Sequence, residues 1–273
     1  MTDTSRITQT FDNLKASGHK AFMPFIAAGD PDLKTTVEII QELSAAGVDL
    51  IEVGFPYSDP IADGPVIQAS YTRALDKGLK IEQIFESIQQ LTTSQSDLPP
   101  LVAMVSFAII FRIGPEAFIK KAEAAGFSGL IVPDLPGDEA EEFAALLKDS
   151  PLDLVQLIAP TTPDHRVEKI LNTASGFLYC ISVAGITGAR DELPPELNDQ
   201  LRELRTRTNL PLAVGFGISK PEHVDILRDV ADGVIVGSGI VRHLENVTDE
   251  ASKAAAIKAI REMADGLVAA THR

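Results

Sequence analysis

Short apolar runs alternate with longer amphipathic segments along the whole chain. Each apolar run spans three to seven residues and lacks the regular in-and-out alternation of a half-buried strand. Continuous apolar runs of this kind are typical of parallel strands that are covered on both faces. The pattern predicts eight parallel strands, at Ala21–Ala27, Val48–Val53, Leu101–Val105, Gly129–Val132, Leu154–Ile158, Phe177–Ile181, Leu212–Val214 and Gly233–Val236.

The segments between these runs have the period of amphipathic helices. In Leu33–Ala46, for example, Val37, Ile40 and Leu43 recur at helical spacing with polar residues between them. A glycine follows this segment, as is common just beyond the end of a helix. Comparable segments are Ile81–Thr92, Pro115–Ala125, Asp138–Lys148, Pro163–Ala174, Glu196–Thr206 and Pro221–Asp229.

The regular order of strands and helices indicates the fold class. No linker, tandem array or low-complexity tract divides the chain, so we expect residues 1–273 to form one domain. Eight strand–helix units predict a closed (β/α)8 TIM barrel of the α/β class. Ser5–Ala16 and Ala251–Ala269 are then extra terminal helices, and the first is placed to close the barrel floor. An open doubly wound sheet is the main alternative, but its dinucleotide fingerprint is missing.

The charge balance narrows the choice of partners. The chain has 24 basic and 39 acidic residues, which gives a net charge of −15, and this disfavours nucleic acid and anionic membranes as partners. Cys180 is the one cysteine, so the chain has no intrachain disulfide. The polar N-terminus does not read as a secretory signal, and no apolar run has membrane-spanning length. We therefore expect a cytoplasmic protein.

Two carboxylates near the second strand are the leading candidates for catalysis. Glu52 lies within an apolar run, where an ionised side chain is costly to bury, and Asp63 ends the following loop, which is rich in glycine and proline. A buried carboxylate next to a more solvent-exposed one is suited to acid–base chemistry on a bound small molecule. Other interpretations remain open: Glu52 is held by backbone or by an arginine, and Asp63 caps a turn.

Glycines after the last two strands predict a phosphate site. Gly215 and Gly217 follow the seventh strand, and Gly237, Ser238 and Gly239 follow the eighth, where Ser238 opens a helix. Bare backbone N–H groups at a helix N-terminus favour an anion, and this is where many barrels hold phosphate. Such a cradle needs no lysine, which fits an acidic chain. The alternative is that these glycines only form tight turns.

Several catalytic schemes are disfavoured by what the sequence lacks. No lysine lies within an apolar strand, which argues against a Schiff base, and the histidines do not pair in a metal-ligand pattern. Tyr179, in the sixth strand, is either a helper at the mouth or core filler. Thr187 lies in a glycine-rich loop, Gly185–Gly188, which is either a lid or an ordinary solvent loop. The chemistry that remains is acid–base catalysis by carboxylates on a substrate that is held by its phosphate group.

Four sequence motifs resemble one enzyme family over nearly the whole chain. Pro24–Pro31, Glu52–Gly64, Gly185–Gly188 and Gly215–Ile218 occur in the order seen in the tryptophan synthase α subunit. The second string, Glu-Val-Gly-Phe-Pro-Tyr-Ser-Asp-Pro-Ile-Ala-Asp-Gly, is long enough to make another phosphate-binding barrel improbable. The resemblance implies cleavage of indole-3-glycerol phosphate to indole and glyceraldehyde 3-phosphate, without a metal or organic cofactor.

The resemblance also implies roles for individual residues. Glu52 is the acid and base at indole C3 and at the glyceryl hydroxyl, and Asp63 stabilises the indole N–H proton. Thr187 orients Asp63 when the lid closes, and Tyr179 places the reacting side chain. The remaining implied substrate contacts are to phosphate, from Gly188, Gly217, Gly237 and Ser238, and to the indole ring, from Phe25, Ile131 and Ile158.

The implied partner is the tryptophan synthase β subunit, in an α2β2 complex. Two departures from the family pattern bear on this contact and on the lid: Met104–Phe107 after the third strand, and Ser182–Gly185 at the start of the lid. Neither departure affects the two candidate catalytic carboxylates. The alternatives are a free-standing lyase that releases indole, another phosphate-binding barrel such as a sugar-phosphate epimerase or prenyl-glyceryl phosphate synthase, and a regulatory subunit without turnover.

Overall fold

Parallel strands in chain order close into a barrel in the computed structural model of this protein. The structure describes residues 4–60, 63–136, 139–182, 196–215, 217–218 and 220–273. The expected barrel of eight strands is confirmed, and each strand pairs in parallel with the next until the last returns to the first. The strands are β1 (Ala21–Ala27), β2 (Ile51–Gly54), β3 (Leu101–Met104), β4 (Gly129–Ile131), β5 (Asp153–Ile158), β6 (Leu178–Ile181), β7 (Leu212–Gly215) and β8 (Gly233–Val236).

The second strand begins three residues later than the sequence predicted. Val48–Val53 is apolar apart from Asp49 and Glu52, but the strand starts at Ile51. Asp49 accepts a hydrogen bond from the Phe22 backbone N–H at 2.8 Å and so ties the approaching loop to β1. A carboxylate that takes a backbone donor in this way replaces a ladder bond, which ends the regular pairing there.

The helices surround the barrel, and most follow the predicted segments. Two were not predicted, Pro65–Asp76 and Phe107–Ile113, and both follow strands that contribute to the site. The predicted start of the helix at Asp138 lies outside the described residues. The helices are α1 (Arg6–Ser17), α2 (Leu33–Ala46), α3 (Pro65–Asp76), α4 (Ile81–Ser94), α5 (Phe107–Ile113), α6 (Pro115–Ala124), α7 (Ala140–Leu146), α8 (Asp164–Thr173), α9 (Glu196–Arg207), α10 (Pro221–Leu227), α11 (Ser238–Val241) and α12 (Glu250–Thr271).

Two apolar layers hold the barrel together. The outer layer lies between the strands and the helices, and contains side chains such as Phe22, Ile26 and Val53. The inner layer fills the barrel and includes Met23 and Tyr179. Because successive side chains of a strand point to opposite faces, each strand supplies both layers. The barrel is therefore a packed core, and only its ends are available for a site.

Helix α1 closes the floor of the barrel, as the sequence predicted. Its Ile7, Phe11 and Leu14 are buried in the inner layer, and the ring of Phe11 contacts that of Phe177 with centroids 5.7 Å apart. The hydroxyl of Ser5 accepts a hydrogen bond from the Thr8 backbone N–H, which caps the helix start. The end of the barrel where the strands begin is thus filled.

The last helix, α12, packs along α2 and α10. Asp249 and Ser252 form a capping box at its start, with Asp249 accepting from the Ser252 N–H at 2.7 Å. Lys253, on the buried face, reaches Glu38 of α2 at 3.3 Å. Within the described ranges, no helix is long and apolar enough to cross a membrane.

Candidate active site

A small cavity opens at the carboxyl ends of the strands, on the opposite side of the barrel from α1. It brings together residues from β1, β2, β3, β6 and β8 and from the loops that follow β2, β7 and β8. This is the face where barrel enzymes carry their catalytic groups. The residues that line it are Phe25, Glu52, Asp63, Ile67, Met104, Tyr179, Gly217, Ile218, Ile235, Gly237 and Ser238.

Glu52 is a buried carboxyl group without a hydrogen-bond partner among the described residues. The residue is 1% exposed, and both of its carboxyl oxygens are unpaired. Burial raises the pKa of Glu52 well above its ordinary value of 4.5, because the ionised form loses its hydration and gains no compensating donor. Among the described residues, neither an arginine nor the backbone holds the Glu52 carboxyl group. Burial therefore favours the protonated form of this carboxyl group over the ionised form.

Asp63 approaches the same cavity from the loop after β2. Its backbone N–H donates to the Pro60 carbonyl at 3.0 Å, and its own carbonyl accepts from the Gln68 amide at 2.7 Å. Burial raises the pKa of Asp63 to about 6, and a hydrogen bond from the Tyr57 hydroxyl opposes this rise. The Asp63 carboxyl group is thus less exposed to solvent than the sequence indicated for a loop residue. With a pKa of about 6, Asp63 remains mostly ionised at neutral pH.

Tyr179 presents its hydroxyl to the upper part of the barrel. The residue is 4% exposed on β6, and its phenol lies directly over Gly215 of β7, where any Cβ atom would collide with the hydroxyl. Burial raises the pKa of Tyr179, and the charges of Glu52 and Asp63 raise it further, so the phenol stays protonated. Tyr179 therefore lines the cavity as well as filling the core.

Phe25 forms the wall of the cavity on the β1 side. It pairs in register with Glu52 of β2, and its ring lies against the bare Cα of Gly54. A Cβ atom at Gly54 would also come within 2.6 Å of the Tyr71 hydroxyl. Glycine at this position therefore allows two aromatic side chains to approach the mouth beside the carboxylates.

The glycines after β7 and β8 line the opposite end of the cavity. Gly217 has a φ of +87°, a conformation that side chains rarely adopt, and Gly237 precedes the first turn of α11 at Ser238. The first N–H groups of a helix have no partner within it. Gly217, Gly237 and Ser238 thus line one cavity together with both carboxylates.

Some predicted site residues lie elsewhere. Thr187 and Gly188 are outside the described residues. Ile158 was expected to contact an aromatic substrate, but this was wrong, because it packs in the outer layer beneath the helices. Ile131 lies in the inner layer and does not line the cavity. Four apolar lining residues were not predicted as part of the site, namely Ile67, Met104, Ile218 and Ile235.

A larger groove of about 840 Å³ adjoins the site along the ends of β2, β3 and β4. Tyr57, Asp59, Arg112 and Asp134 are among the residues that line it. Asp134 accepts hydrogen bonds from the Ser106 hydroxyl at 2.6 Å and from the Phe107 N–H at 2.7 Å, and so fixes the start of α5. Beyond the groove the side chain of Phe111 is 70% exposed.

Comparison with known proteins identifies the family. The family model described as "Tryptophan synthase alpha chain" matches residues 11–270. This chain belongs to that family. The tryptophan synthase alpha chain of Rhodopirellula baltica is 47% identical over 247 residues, covering 90% of this chain and 89% of the relative. That of Methanocaldococcus jannaschii is 42% identical over 245 residues, covering 90% and 86%.

Solved structures of the same family share the fold. Tryptophan synthase of Mycobacterium tuberculosis superimposes with a TM-score of 0.88 at 31% identity, covering 99% of this chain and 100% of that chain. The alpha subunit from Legionella pneumophila gives a TM-score of 0.87 at 33% identity, covering 98% of each chain. Members of this family are lyases of tryptophan biosynthesis that act on indole-3-glycerol phosphate and pair with a β subunit.

Proposed function

We propose that Glu52 and Asp63 are the catalytic residues of this chain and together bring about the cleavage of indole-3-glycerol phosphate. The observation that carries the proposal is the setting of Glu52: a carboxyl group that is buried and unpaired among the described residues, with a pKa raised by burial, in a cavity that it shares with the carboxyl group of Asp63. Two carboxyl groups whose surroundings set different pKa values are the usual sign of separate acid and base roles.

Glu52 carries the proton in both directions. Its carboxylic acid first protonates C3 of the indole, which converts the ring into an electron-poor indolenine. The resulting Glu52 carboxylate then removes the proton of the glyceryl hydroxyl next to C3. The carbon–carbon bond breaks, its electron pair returns to the ring, and indole and an aldehyde are released. The proton given to C3 equals the proton taken from the hydroxyl, so Glu52 ends as it began.

Asp63 stabilises the charge that this sequence creates. Protonation at C3 places positive charge on the indole nitrogen, and an ionised carboxylate held near that N–H lowers the energy of the indolenine. The ring is its own electron sink, which is why this chemistry needs neither a Schiff-base lysine nor a metal. Tyr179, kept protonated by its surroundings, provides a donor that helps to place the glyceryl chain.

The far end of the substrate is assigned to the glycines of the last two loops. We assign the phosphate dianion to the backbone N–H groups of Gly217, Gly237 and Ser238, because these residues line the cavity beside the start of α11. The family resemblance further assigns Gly188 to the phosphate and Thr187 to the orientation of Asp63, and both residues lie outside the described part of the chain. Phe25 supplies an apolar wall for the ring.

The partner and setting complete the proposal. The groove beside Tyr57 and Asp134 is the face that meets the β subunit in an α2β2 complex, because it adjoins the mouth from which indole leaves. Residues 1–273 act as one domain, and the enzyme works in the cytoplasm. These assignments extend the family's role to this chain.

Measuring indole release from indole-3-glycerol phosphate tests the proposal. Asp63→Asn should lower kcat by roughly 10²–10³-fold, because one charge-stabilising group is lost from a dry site. The surface variant Asp229→Asn, on the connection that follows α10, is the control. Addition of a β subunit should raise turnover of the wild type. Wild-type rates for Asp63→Asn, with an unchanged control, would remove Asp63 from the mechanism.

A further inference from the structure

Asp63 is held from two sides by side chains that do not line the catalytic cavity. Gln68, on α3, contacts the backbone of the loop, and Tyr57, at the start of the loop, contacts the carboxylate. Neither residue touches Glu52 in the described contacts. The two contacts restrain different parts of Asp63, so their effects on the reaction can be separated.

The amide of Gln68 fixes the backbone at Asp63. Its Nε2 donates to the carbonyl of Asp63 at 2.7 Å and to that of Pro60 at 3.3 Å, and thus joins the two ends of the last loop segment. The methylene stem of Gln68 stands on α3, one turn after Asp63. A primary amide has two N–H donors, which suits it to bridging two carbonyls.

Helix α3 is in turn fixed to the end of β1. Asp30 is fully buried and accepts from the Arg73 guanidinium at 2.9 and 2.6 Å and from the Ser70 hydroxyl at 2.5 Å. A bidentate arginine–carboxylate pair restricts both position and rotation. Lys77 adds a contact to the Pro31 carbonyl at 2.7 Å. Gln68 therefore acts from a rigid support.

The hydroxyl of Tyr57 restrains the carboxylate itself. It donates to Asp63, and its ring packs against that of Tyr71 with centroids 5.7 Å apart and an interplanar angle of 53°. Tyr71 is buried on α3, so the ring of Tyr57 also has a fixed support. Tyr57 lines the groove on one side and reaches the cavity residue Asp63 on the other.

We propose that Gln68 and Tyr57 are positioning residues for Asp63: the Gln68 amide sets the backbone of the loop, and the Tyr57 hydroxyl sets the orientation of the carboxylate toward the substrate N–H. The inference rests on the role given to Asp63 under "Proposed function". It assigns a task to two side chains outside the cavity and predicts that each acts only through Asp63.

The hydrogen bond from Tyr57 also affects when Asp63 is ionised. The titratable groups around Asp63 are Glu52 on β2, Tyr71 on α3, Tyr179 on β6 and Tyr57 on its own loop. Of these, Tyr57 donates to the carboxylate and lowers its pKa against the effect of burial. Removing the hydroxyl should therefore raise the pKa of Asp63 and move the acid limb of the kcat/KM profile to higher pH.

The experiment compares single and double variants in the indole-release assay. Tyr57→Phe should lower kcat by about tenfold, as expected for loss of one bond to a charged group, and should move the acid limb upward. The substrate phosphate titrates equally in both proteins and cancels in the comparison. Tyr71→Phe is the matched control: it removes a hydroxyl from the same ring pair and should leave the acid limb in place.

Gln68→Met keeps the side-chain length and loses both donors. It should lower kcat severalfold with little change in KM, whereas Gln41→Met, on the exposed face of α2, should change neither. Thermal midpoints of all variants identify any that fold poorly. If Gln68→Met falls in this class, Gln68→Glu, which keeps the acceptor but loses both donors, replaces it in the comparison.

The double variants decide whether the effects pass through Asp63. In an Asp63→Asn background, Tyr57→Phe and Gln68→Met should cause no further loss, because neighbouring residues that act as one unit are not additive. Additive losses, or an acid limb that does not move in Tyr57→Phe, would overturn this inference alone. A wild-type rate for Asp63→Asn would instead overturn the catalytic role on which it rests.

Discussion

Replacement of Glu52 by glutamine tests whether Glu52 carries a proton in the reaction or has only a structural role. Glutamine has nearly the same shape, and no hydrogen bond is lost, because both oxygens of Glu52 lack a partner among the described residues. The amide cannot give or take the proton. General acid–base catalysis contributes about 10²–10⁴-fold, and Glu52 serves in two steps, so we expect kcat to fall by about 10⁴-fold, equivalent to about 5.5 kcal/mol.

The Glu52→Gln substitution should lower the activity of the enzyme without lowering the stability of the folded protein. The pKa of Glu52 in the folded protein lies above its ordinary value of 4.5, so the folded state binds the proton more tightly than the unfolded state. The stabilising effect of that proton is complete below pH 4.5 and is lost as the pH rises through the folded pKa. Each unit between the two pKa values costs about 1.4 kcal/mol. At pH 8 Glu52→Gln should therefore be at least as stable as the wild type.

The assay combines three measurements on one preparation: indole release, the thermal midpoint at pH 5 and pH 8, and calorimetric binding of the product glyceraldehyde 3-phosphate. We expect near-complete loss of turnover, a thermal midpoint at pH 8 that is equal or higher, and unchanged binding. A variant that turns over within threefold of the wild type would refute the proton-carrier role. One that unfolds, or loses the phosphate ligand, would make Glu52 structural.

Three further predictions concern the phosphate cradle, the pH profile and the support of α3. Gly237→Asp should raise KM at least tenfold, because a carboxylate would face the anion, whereas Gly237→Asn, which also fits 3.7 Å from the Phe25 ring, should raise it much less. The kcat/KM of the wild type should fall below about pH 6, where Asp63 gains a proton, and a flat profile there would contradict the assignment. Asp30→Leu should destabilise the protein by roughly 3 kcal/mol, seen in denaturant unfolding, since Arg73 loses its buried partner.

The barrel was predictable because its signal is repeated. Continuous apolar runs alternating with helical periods specify parallel strands that are covered on both faces, and the structure contains all eight in order. Helices α3 and α5 were not predicted, and for α5 the structure shows the reason. In Phe107–Ile113 the run Phe-Ala-Ile-Ile-Phe reads as an extension of the preceding strand, and its helical start depends on Asp134, a residue distant in sequence.

The site was predictable to the extent that it depends on residue type. A carboxylate in an apolar strand and glycines after the last two strands identified Glu52, Gly217, Gly237 and Ser238, all of which line one cavity. Side-chain direction was harder. Ile158 and Met104 are both apolar strand residues, and only the register of the closed barrel shows that the first faces the helices and the second faces the cavity.

Closure of the barrel floor by α1 bears on where the product leaves the enzyme. Indole is small and uncharged, and in an open barrel it would escape by diffusion from either end. The rings of Phe11 and Phe177 are in tilted contact across the lower opening, and the cavity among the described residues lies at the opposite end of the barrel, near the groove that Tyr57 lines. Because the floor is filled, we expect the product to leave at the end of the barrel where the strands end.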